Sequence, residues 1–302
     1  MSRKLTLGID IGATKTIIGY LGSDHRIRII GREKTPQDPD EAVRVIKHII
    51  FNADLPDEIR NIGIACPGPL NQETGKIMCP PNLQLWDEFP LVKIIENEFR
   101  TEARLENDAN AAALGESVYG VAKNDSTVFY MTISSGIGVG IVIDKKIHSG
   151  NKGLAGEIWS FPPSLFNNGH EMLNILDLAS GYGMSHLALD EINKGGHTSL
   201  ETNNLSGREI IKAFIKGDEL AVRLVNNARK ILNATLVFSS CLLSPDIIVL
   251  GGGLTSNPGW FVDPLKESFK KTMPLDQLKA VPVVSTELGD DNVIYGAIAL
   301  FA

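Results

Sequence analysis

The chain has 302 residues, of which 43% are hydrophobic and 22% charged, and its formal net charge at pH 7 is −7. This length allows two domains of ordinary size, and the composition is typical of a soluble globular protein whose main function is not nucleic-acid binding. The three cysteines, Cys66, Cys79 and Cys241, include no CxxC pair, which argues against a disulfide framework and fits a reducing cytosol.

Strands and helices are predicted to alternate along the first hundred residues. No apolar run of the signal-peptide type precedes Asp10, and the strands KLTLGIDIG and KTIIGYL are predicted to pair around a short Gly/Thr turn. Asp38 and Pro39 form a helix-start signal before apolar residues at helical spacing. The next predicted elements are the strand IRNIGIAC, the helix LVKIIENEF and the strand EARLEN. This alternation indicates an α/β fold.

The second half of the chain contains a long apolar run and a long predicted loop. Residues 127–143 hold two serines and three glycines, which predicts two buried strands around a glycine turn rather than a membrane span. This unit resembles residues 5–20 and so suggests two related domains. Residues 149–182 are predicted to form a long functional loop. The last predicted elements are a helix within 217–243, the strand IIVLGGGL and a helix within LGDDNVIYGAIALF. With no targeting or membrane segment, we expect a cytoplasmic protein.

Three glycine turns are candidate phosphate-binding sites. Glycine lets backbone N–H groups approach an anion closely, and hydroxyl and lysine side chains add further donors. The turns lie in GIDIGATKT, SSGIGVG and GGGL, and none has the spacing of a P-loop or a GxGxxG motif. One such turn alone is more typical of an ordinary hairpin, whereas the three together make a nucleotide site an equal alternative. Asp10 adds weight, because the core of a strand does not normally contain a carboxylate.

The stretch LENDANAAALGE at 105–116 predicts the start of a helix. Asn107 and Asp108 stand before a run of alanines, and both side chains can accept the unpaired N–H groups of a first helical turn. From this stretch alone, a helix cap is favoured over catalysis as the role of Asp108.

Eight motifs occur in order along nearly the whole chain: GIDIGATKT, GIACPGPLNQETGKI, PPNLQLW, LENDANAAALGE, ISSGIGVGIVI, GLAGE, SPDIIVLGGGL and LGDDNVIYGAIAL. Together they resemble the ROK family (repressors, open reading frames, kinases) of the actin/hexokinase/Hsp70 superfamily. The resemblance implies an α/β fold of two ribonuclease-H-like (actin-like ATPase) domains with the active site in the interdomain cleft. The expected domains are residues 1–115 with 288–302, and residues 116–287. Since the first glycine turn starts within ten residues, the helix-turn-helix domain of the repressor branch is not expected, and the kinase branch is implied.

The resemblance implies an ATP- and magnesium-dependent kinase that phosphorylates the 6-hydroxyl of a hexose or an N-acetylhexosamine. N-acetylmannosamine and glucose are the leading candidate substrates, followed by N-acetylglucosamine and mannose. Asp108 would bind the sugar and act as the catalytic base, taking the hydroxyl proton during attack on the γ-phosphate. The alternative is a catalytically inactive sugar-sensing or regulatory protein. The family also implies a homodimer, and no nucleic-acid or membrane partner is expected.

The other site residues follow from the resemblance, position by position. Asp10 would orient the magnesium ion, through water, beside the β- and γ-phosphates. Asn107 and Glu157 would bind sugar hydroxyls, and Gly68 would line the sugar pocket. Nucleotide contacts would come from the three glycine turns: Gly12, Thr14 and Lys15; Ser135, Gly136 and Gly138; and Gly251, Gly252 and Gly253.

The chain departs from the family pattern in the loop after the second glycine turn. Trp159 and Ser160 stand where family kinases commonly have Gly and a zinc-ligating His that also touches the sugar. Because no cysteine lies between Cys79 and Cys241, a Cys₃His site cannot form, and no structural zinc is expected. Three aromatic residues are expected to anchor the loop by packing instead: Trp159, Phe161 and Phe166.

The departures also affect the expected sugar contacts. Leu176 occupies the place of a second sugar-binding Glu, and Asp177 stands beside it. His170 is either a replacement sugar contact or a solvated loop histidine. These changes favour an N-acetylhexosamine or a relaxed hexose specificity, because a few polar contacts set the specificity of such sites.

Overall fold

The computed structural model describes residues 4–78, 80, 83–162 and 173–302. Contacts divide the chain into two units. Unit 1 comprises Met1–Asn124, Gly140–Ala155 and Glu287–Ala302, and unit 2 comprises Asp125–Val139 and Gly156–Thr286. The domain boundaries expected from the sequence, 1–115 with 288–302 and 116–287, stay a prediction.

The first sheet has five strands in the order β3–β2–β1–β4–β7. Its strands are β1 (Lys4–Ile11), β2 (Lys15–Leu21), β3 (Ile27–Lys34), β4 (Glu58–Cys66) and β7 (Glu102–Asn107). Strand β1 pairs antiparallel with β2, which confirms the predicted hairpin, and it pairs parallel with β4. Strand β4 in turn pairs parallel with β7. The carboxyl ends of β1, β4 and β7 therefore lie at one edge of the sheet.

Four helices of unit 1 accompany this sheet: α1 (Pro39–Asn52), α2 (Leu91–Phe99), α3 (Asp108–Val118) and α10 (Asn292–Ala299). The predicted start of α1 is confirmed, because the Asp38 side chain accepts hydrogen bonds from the N–H groups of Asp40 and Glu41. The core on this side of unit 1 is rich in isoleucine and includes the fully buried Ile46 and Trp86.

Helix α10 packs at backbone distance against both α3 and the sheet. A Cβ atom added at Gly63 in β4 would lie 1.8 Å from the carbonyl oxygen of Ala297, and one added at Gly296 would lie 1.7 Å from that of Ala111. Since only glycine fits at such distances, these two positions hold α10 and α3 at the sheet. Helix α3 thereby begins at a fixed point after β7.

The second sheet has the order β10–β9–β8–β11–β12. Its strands are β8 (Thr127–Ile133), β9 (Ile137–Ile143), β10 (Lys146–Ile147), β11 (Ile247–Gly251) and β12 (Val283–Ser285). The two strands predicted within 127–143 are thus confirmed as β8 and β9, and the predicted strand before the third glycine turn is β11. A separate small hairpin is formed by β5 (Leu70–Asn71) and β6 (Lys76–Ile77).

The other helices are α4 (Ile175–Ala179), α5 (Gly181–Asn193), α6 (Gly207–Ile215), α7 (Glu219–Leu243), α8 (Val262–Thr272) and α9 (Asp276–Lys279). Helix α7 confirms the long predicted helix, but the prediction of a continuous loop over 149–182 is wrong at its end. There the side chains of Asn174 and Asp177 cap α4 reciprocally, and α4 is too short to show a helical period in the sequence. Within the described part of the chain, no helix is long and apolar enough to cross a membrane.

Candidate functional site

The turn after β1 holds the first group of predicted site residues. Asp10 is cross-strand neighbour to Ile17 of β2 and Ala65 of β4. The N–H of Gly12 donates to the carbonyl oxygen of Lys15 at 2.9 Å, which closes the turn. The side chains of Thr14 and Lys15 are exposed. The turn therefore presents a hydroxyl and an ammonium group next to the Asp10 carboxylate.

Thr35, which follows β3, stabilises this turn by hydrogen bonds to its backbone. Its hydroxyl donates to the carbonyl oxygen of Gly12 at 2.7 Å, and its N–H donates to that of Thr14 at 3.2 Å. The Thr35 and Thr16 hydroxyls are 2.9 Å apart, and both residues are buried. Thr35 was not predicted as a site residue, because its role depends on the pairing of β3 with β2, in which Lys34 lies opposite Lys15. No local pattern around Thr35 reveals this pairing.

Two carboxylates and a thiol lie at the shared edge of β1, β4 and β7. The pKa of Asp10 is raised from 3.8 to about 7, first by burial and second by the Asp108 carboxylate, while Lys15 opposes the shift. Burial raises the pKa of the Cys66 thiol, and the charges of Asp108 and Asp10 raise it further. Cys66 is therefore a neutral neighbour of the two carboxylates, not a nucleophile.

We expect the replacement Asp10→Asn to stabilise the magnesium-free protein above about pH 7. The pKa of Asp10 is 3.8 as an unperturbed group and about 7 in the fold, so between these values the folded state keeps a proton that the unfolded state releases. The contribution of Asp10 to the free energy of unfolding is therefore most favourable below about pH 4, and it is lost as the pH rises toward 7. Urea unfolding of both proteins in EDTA from pH 4 to 8 measures the difference. A difference that does not change with pH would contradict the assignment.

The junction between β7 and α3 places Asn107 and Asp108. Asn107, not Asp108, caps the helix: its Oδ1 accepts from the N–H groups of Ala109 and Asn110 at 2.9 and 3.3 Å. The expectation that Asp108 is the cap is thus wrong by one residue. Asn107 still pairs with Cys66 in the sheet, so helical geometry begins at Asp108. The Asp108 Oδ1 accepts from the Ala109 N–H at 2.8 Å.

The cap orients the Asn107 side chain toward Gly68. Because Oδ1 accepts the helix N–H groups, the amide nitrogen Nδ2 is the end that faces outward from the cap. A Cβ atom added at Gly68 would lie 3.3 Å from this Nδ2. The structure therefore brings together two residues that were predicted from the resemblance to contact the sugar.

The second glycine turn, between β8 and β9, is held by the first residues of α5. The carbonyl oxygens of Ser134 and Ser135 accept from the N–H groups of Gly181 and Tyr182 at 2.8 and 3.0 Å. The Ser135 side chain is exposed, Gly136 completes the turn and Gly138 lies within β9. The Leu176 Cδ1 lies 3.8 Å from a Cβ position at Gly136.

The third glycine turn follows β11. Gly252 has a φ of +92°, and an added Cβ would lie 2.5 Å from the carbonyl oxygen of Ile133, so this position requires glycine. The Thr255 hydroxyl donates to the Gly252 carbonyl oxygen at 2.8 Å. Gly251 is buried at the end of the strand, whereas a Cβ at Gly253 would meet open space. The backbone at Gly253 is thus accessible to a ligand.

The loop that departs from the family pattern is partly described. The Glu157 carboxylate is exposed and accepts a hydrogen bond from the Trp159 indole N–H. The Ser160 hydroxyl donates to the Glu157 carbonyl oxygen at 2.9 Å, and the Phe161 ring stacks on Phe238 of α7 with 6.5 Å between centroids. These contacts agree with anchoring of the loop by aromatic packing.

Two predicted residues of this loop, Phe166 and His170, lie outside the described residues. Asp177 is committed to the cap of α4, where its carboxylate accepts from the Asn174 N–H at 3.2 Å, so it is a poor replacement for the second sugar-binding Glu. Among the described residues, no group of three or more His, Cys, Asp and Glu could hold a metal ion. The expectation of no structural zinc stays a prediction, since residues 163–172 are not described.

The similarity to known proteins extends over nearly the whole chain. The chain is 31% identical over 315 residues to N-acetyl-D-glucosamine kinase from Histophilus somni, with 97% of this chain and 98% of that protein covered. The structure is similar to that of a ROK family glucokinase from Streptomyces griseus in complex with glucose and AMPPNP, with a TM-score of 0.82, 25% identity and 98% of both chains covered. It is also 24% identical to a xylose repressor from Caldicellulosiruptor bescii, covering 97% of this chain and 77% of the repressor.

These findings confirm two predictions from the sequence. The mixed α/β architecture with two five-stranded sheets matches that glucokinase structure along nearly the whole chain, so the predicted actin-like ATPase fold is confirmed. The family model described as the ROK family matches residues 6–302. The chain therefore belongs to the ROK family.

Proposed function

We propose that this protein is a sugar kinase that transfers the γ-phosphate of ATP to the 6-hydroxyl of a hexose or an N-acetylhexosamine. The observation that carries the proposal is the placement of Asp10 and Asp108 at one edge of the first sheet, close enough for the charge of Asp108 to raise the pKa of Asp10. The glycine turn after β1, which could bind phosphate, lies beside Asp10. The side-chain amide of Asn107, which could bind a sugar hydroxyl, lies beside Asp108. The kinases among the relatives support the same reaction class.

Asp108 is proposed as the base in this reaction. A sugar hydroxyl is a weak nucleophile, and a carboxylate within hydrogen-bond reach can take its proton as it attacks phosphorus. The hydrogen bond between the Asp108 Oδ1 and the Ala109 N–H holds the carboxylate at the first turn of α3. The proposed sugar contacts are Asn107, Gly68 and Glu157.

Magnesium fits the turn after β1. Proteins commonly bind this ion with one or two carboxylates plus substrate phosphates, and Asp10 offers one carboxylate beside the turn. When bound, magnesium supplies positive charge that balances the β- and γ-phosphates. Lys15 and the backbone of the turn would bind phosphate oxygens, and the residues of unit 2 proposed to contact the nucleotide are Ser135, Gly136, Gly138, Gly251, Gly252 and Gly253.

We propose N-acetylmannosamine and glucose as the first substrates to test, followed by N-acetylglucosamine and mannose. The replacement of the usual His and Glu by Ser160 and Leu176 changes contacts that sugar kinases of the family use, which favours an N-acetyl or relaxed specificity. The experiment is ATP turnover with magnesium against these four sugars. Turnover with one or two of them supports the proposal, and no turnover with any sugar contradicts it.

A sugar-binding regulator is the second candidate, favoured by the similarity to the xylose repressor. Such a protein would bind sugar without consuming ATP. The retained Asp10 and Asp108 count against it, because a regulator needs neither a carboxylate for magnesium nor a base for proton transfer. Calorimetric measurement of sugar binding beside the turnover assay separates the kinase from the regulator.

The homodimer that the family resemblance implies is a separate proposal. Size-exclusion chromatography with light scattering tests it.

The replacement Thr35→Val should raise the KM for ATP by about tenfold with little change in the KM for sugar. The substitution leaves the Thr16 hydroxyl and the Gly12 carbonyl without their buried partner, at a cost of about 1–3 kcal/mol in the turn. Steady-state kinetics with each substrate varied measures the effect. A matched control is Thr235→Val in α7, where the hydroxyl donates to the Ile231 carbonyl at 2.9 Å, and which should leave both KM values unchanged. Equal effects of the two replacements would contradict the prediction.

A further inference from the structure

A buried carboxylate lies beside the β7–α3 junction. Glu106 is only 6% exposed, and one of its oxygens, Oε1, accepts three hydrogen bonds. The donors are the side-chain amide of Gln72 at 3.2 Å, the backbone N–H of Asn107 at 2.8 Å and the side-chain amide of Asn110 at 3.0 Å. The three donors come from three different segments: the hairpin after β5, the end of β7 and the first turn of α3.

We infer that Glu106 is a positioning residue for the proposed phosphoryl transfer, an inference that rests on the proposed function. Its carboxylate holds the N–H of Asn107 at the end of β7 and the side chain of Asn110 in the first turn of α3. These contacts on both sides of the junction set the direction of Asn107 and Asp108. Glu106 itself is one residue before this pair and does not need to touch the sugar.

The orientation of Asn110 shows that the carboxylate organises its surroundings. The Asn110 Oδ1 is buried and has no hydrogen-bond partner among the described residues, while its Nδ2 donates to Glu106. Turning the amide over would place its oxygen against the Glu106 oxygen, where two acceptors repel. The hydrogen bond that the Asn110 amide donates to Glu106 therefore outweighs the free-energy cost of leaving its oxygen without a partner.

Gln72 extends the network to a second loop of unit 1. Its side-chain Oε1 lies 2.9 Å from the place that a Cβ would take on Gly153, a residue with a φ of +72°. Gly68, which lies against the Asn107 amide, belongs to the same segment as Gln72. The Glu106 carboxylate thus joins the loop that flanks Asn107 to the helix that carries Asp108.

This arrangement has a specific kinetic consequence. Displacement of a reacting group by about 1 Å can cost up to about 10²-fold in rate, even when the altered residue does not contact the substrate. Hydrogen bonds to a charged acceptor are stronger than those to a neutral one, so a neutral amide in place of this carboxylate would hold the Asn107 N–H and the two side-chain amides more weakly. The loss should appear in kcat more than in sugar affinity.

The test compares Glu106→Gln, at the end of β7, with a matched control, Glu116→Gln, in α3. Glu116 is fully buried near the end of α3 and accepts from the N–H groups of Val121 and Leu288, so its replacement removes a buried carboxylate far from Asp108. Turnover with the best sugar, sugar affinity by calorimetry and urea unfolding are measured for both variants. We expect Glu106→Gln to lower kcat by about 10–100-fold with sugar affinity changed less than about fivefold. Glu116→Gln should lose stability but keep kcat within about twofold.

The outcomes separate this inference from the proposed function. An active parent whose Glu106→Gln variant retains kcat, or loses no more than Glu116→Gln, overturns the inference alone. A parent that turns over no sugar overturns the proposed function and the inference with it. If Glu106→Gln does not fold, Gln72→Leu removes one donor and keeps the carboxylate; we then expect a kcat lowered by about threefold or more, and an unchanged kcat overturns the inference.

Discussion

Replacing Asp108 by Asn should lower kcat by about 10²–10⁴-fold while sugar affinity changes only a few-fold. The amide has the size of the carboxylate and keeps an oxygen for the Ala109 N–H, which lies 2.8 Å from Oδ1, so the start of α3 stays in place. It cannot, however, take a proton from the attacking hydroxyl. Rates at saturating ATP and sugar, with calorimetric sugar binding in the absence of ATP, separate the two effects.

Asp38→Asn is a matched control for this replacement. Asp38 caps α1 through hydrogen bonds to Asp40 and Glu41, and asparagine caps a helix about as well as aspartate does. It should therefore leave both kcat and stability unchanged.

In Asp108→Asn, the loss of a negative charge should also lower the pKa of Asp10, because Asp108 contributes to its rise. A variant that keeps more than about a tenth of the parent kcat would exclude Asp108 as the base.

Replacing Gly296 by Ala should lower the free energy of unfolding by about 3 kcal/mol or more. The new methyl group would start 1.7 Å from the carbonyl oxygen of Ala111 in α3 and 2.1 Å from the carbonyl carbon. Backbone cannot yield as a flexible side chain does, so α10 and α3 must separate. Because Ala297 of α10 also lies against Gly63 in β4, the helix has no free direction in which to move. Urea unfolding followed by circular dichroism measures the loss.

Gly259→Ala provides the matched glycine-to-alanine control. A Cβ at Gly259 would meet its nearest neighbour, the Asn257 side chain, at 3.7 Å, which is an ordinary contact. Its free energy of unfolding should stay within about 0.5 kcal/mol of the parent. A Gly296→Ala variant as stable as this control would contradict the backbone contact between α10 and α3.

Local signals were enough to predict the first hairpin and helix of unit 1. The Gly/Thr turn between β1 and β2, the Asp38 cap and the amphipathic pattern of α1 each act within about ten residues, and the structure confirms all three. The long helix α7 was predicted for the same reason, since its apolar period extends over many turns.

Elements held by distant contacts were missed. Strand β3 is an edge strand with mostly exposed, charged residues, so it shows no alternation of apolar side chains. Helix α5 begins with glycines at 181 and 183, which are weak helix formers, and its first N–H groups bind the turn after β8. Such elements depend on their partners more than on their own sequence.

The supports of the candidate site were hidden for a related reason. Thr35 lies 19 residues from Thr16 and Glu106 lies 34 residues from Gln72, so only the tertiary fold brings them together. The choice of Asn107 over Asp108 as cap depends on one further residue of pairing between β7 and β4. Either residue type can cap a helix, and the sequence could not distinguish them.

The most direct test of the proposed function is the position of phosphate on the product. The sugar with the highest turnover is incubated with ATP and magnesium, and the product is examined by proton-detected phosphorus NMR beside a reaction with the matching 6-deoxy sugar. We expect one product, with phosphorus coupled to the two protons on C6, and no sugar phosphate from the 6-deoxy analogue. Phosphate on another carbon, or release of inorganic phosphate without a sugar phosphate, would contradict it.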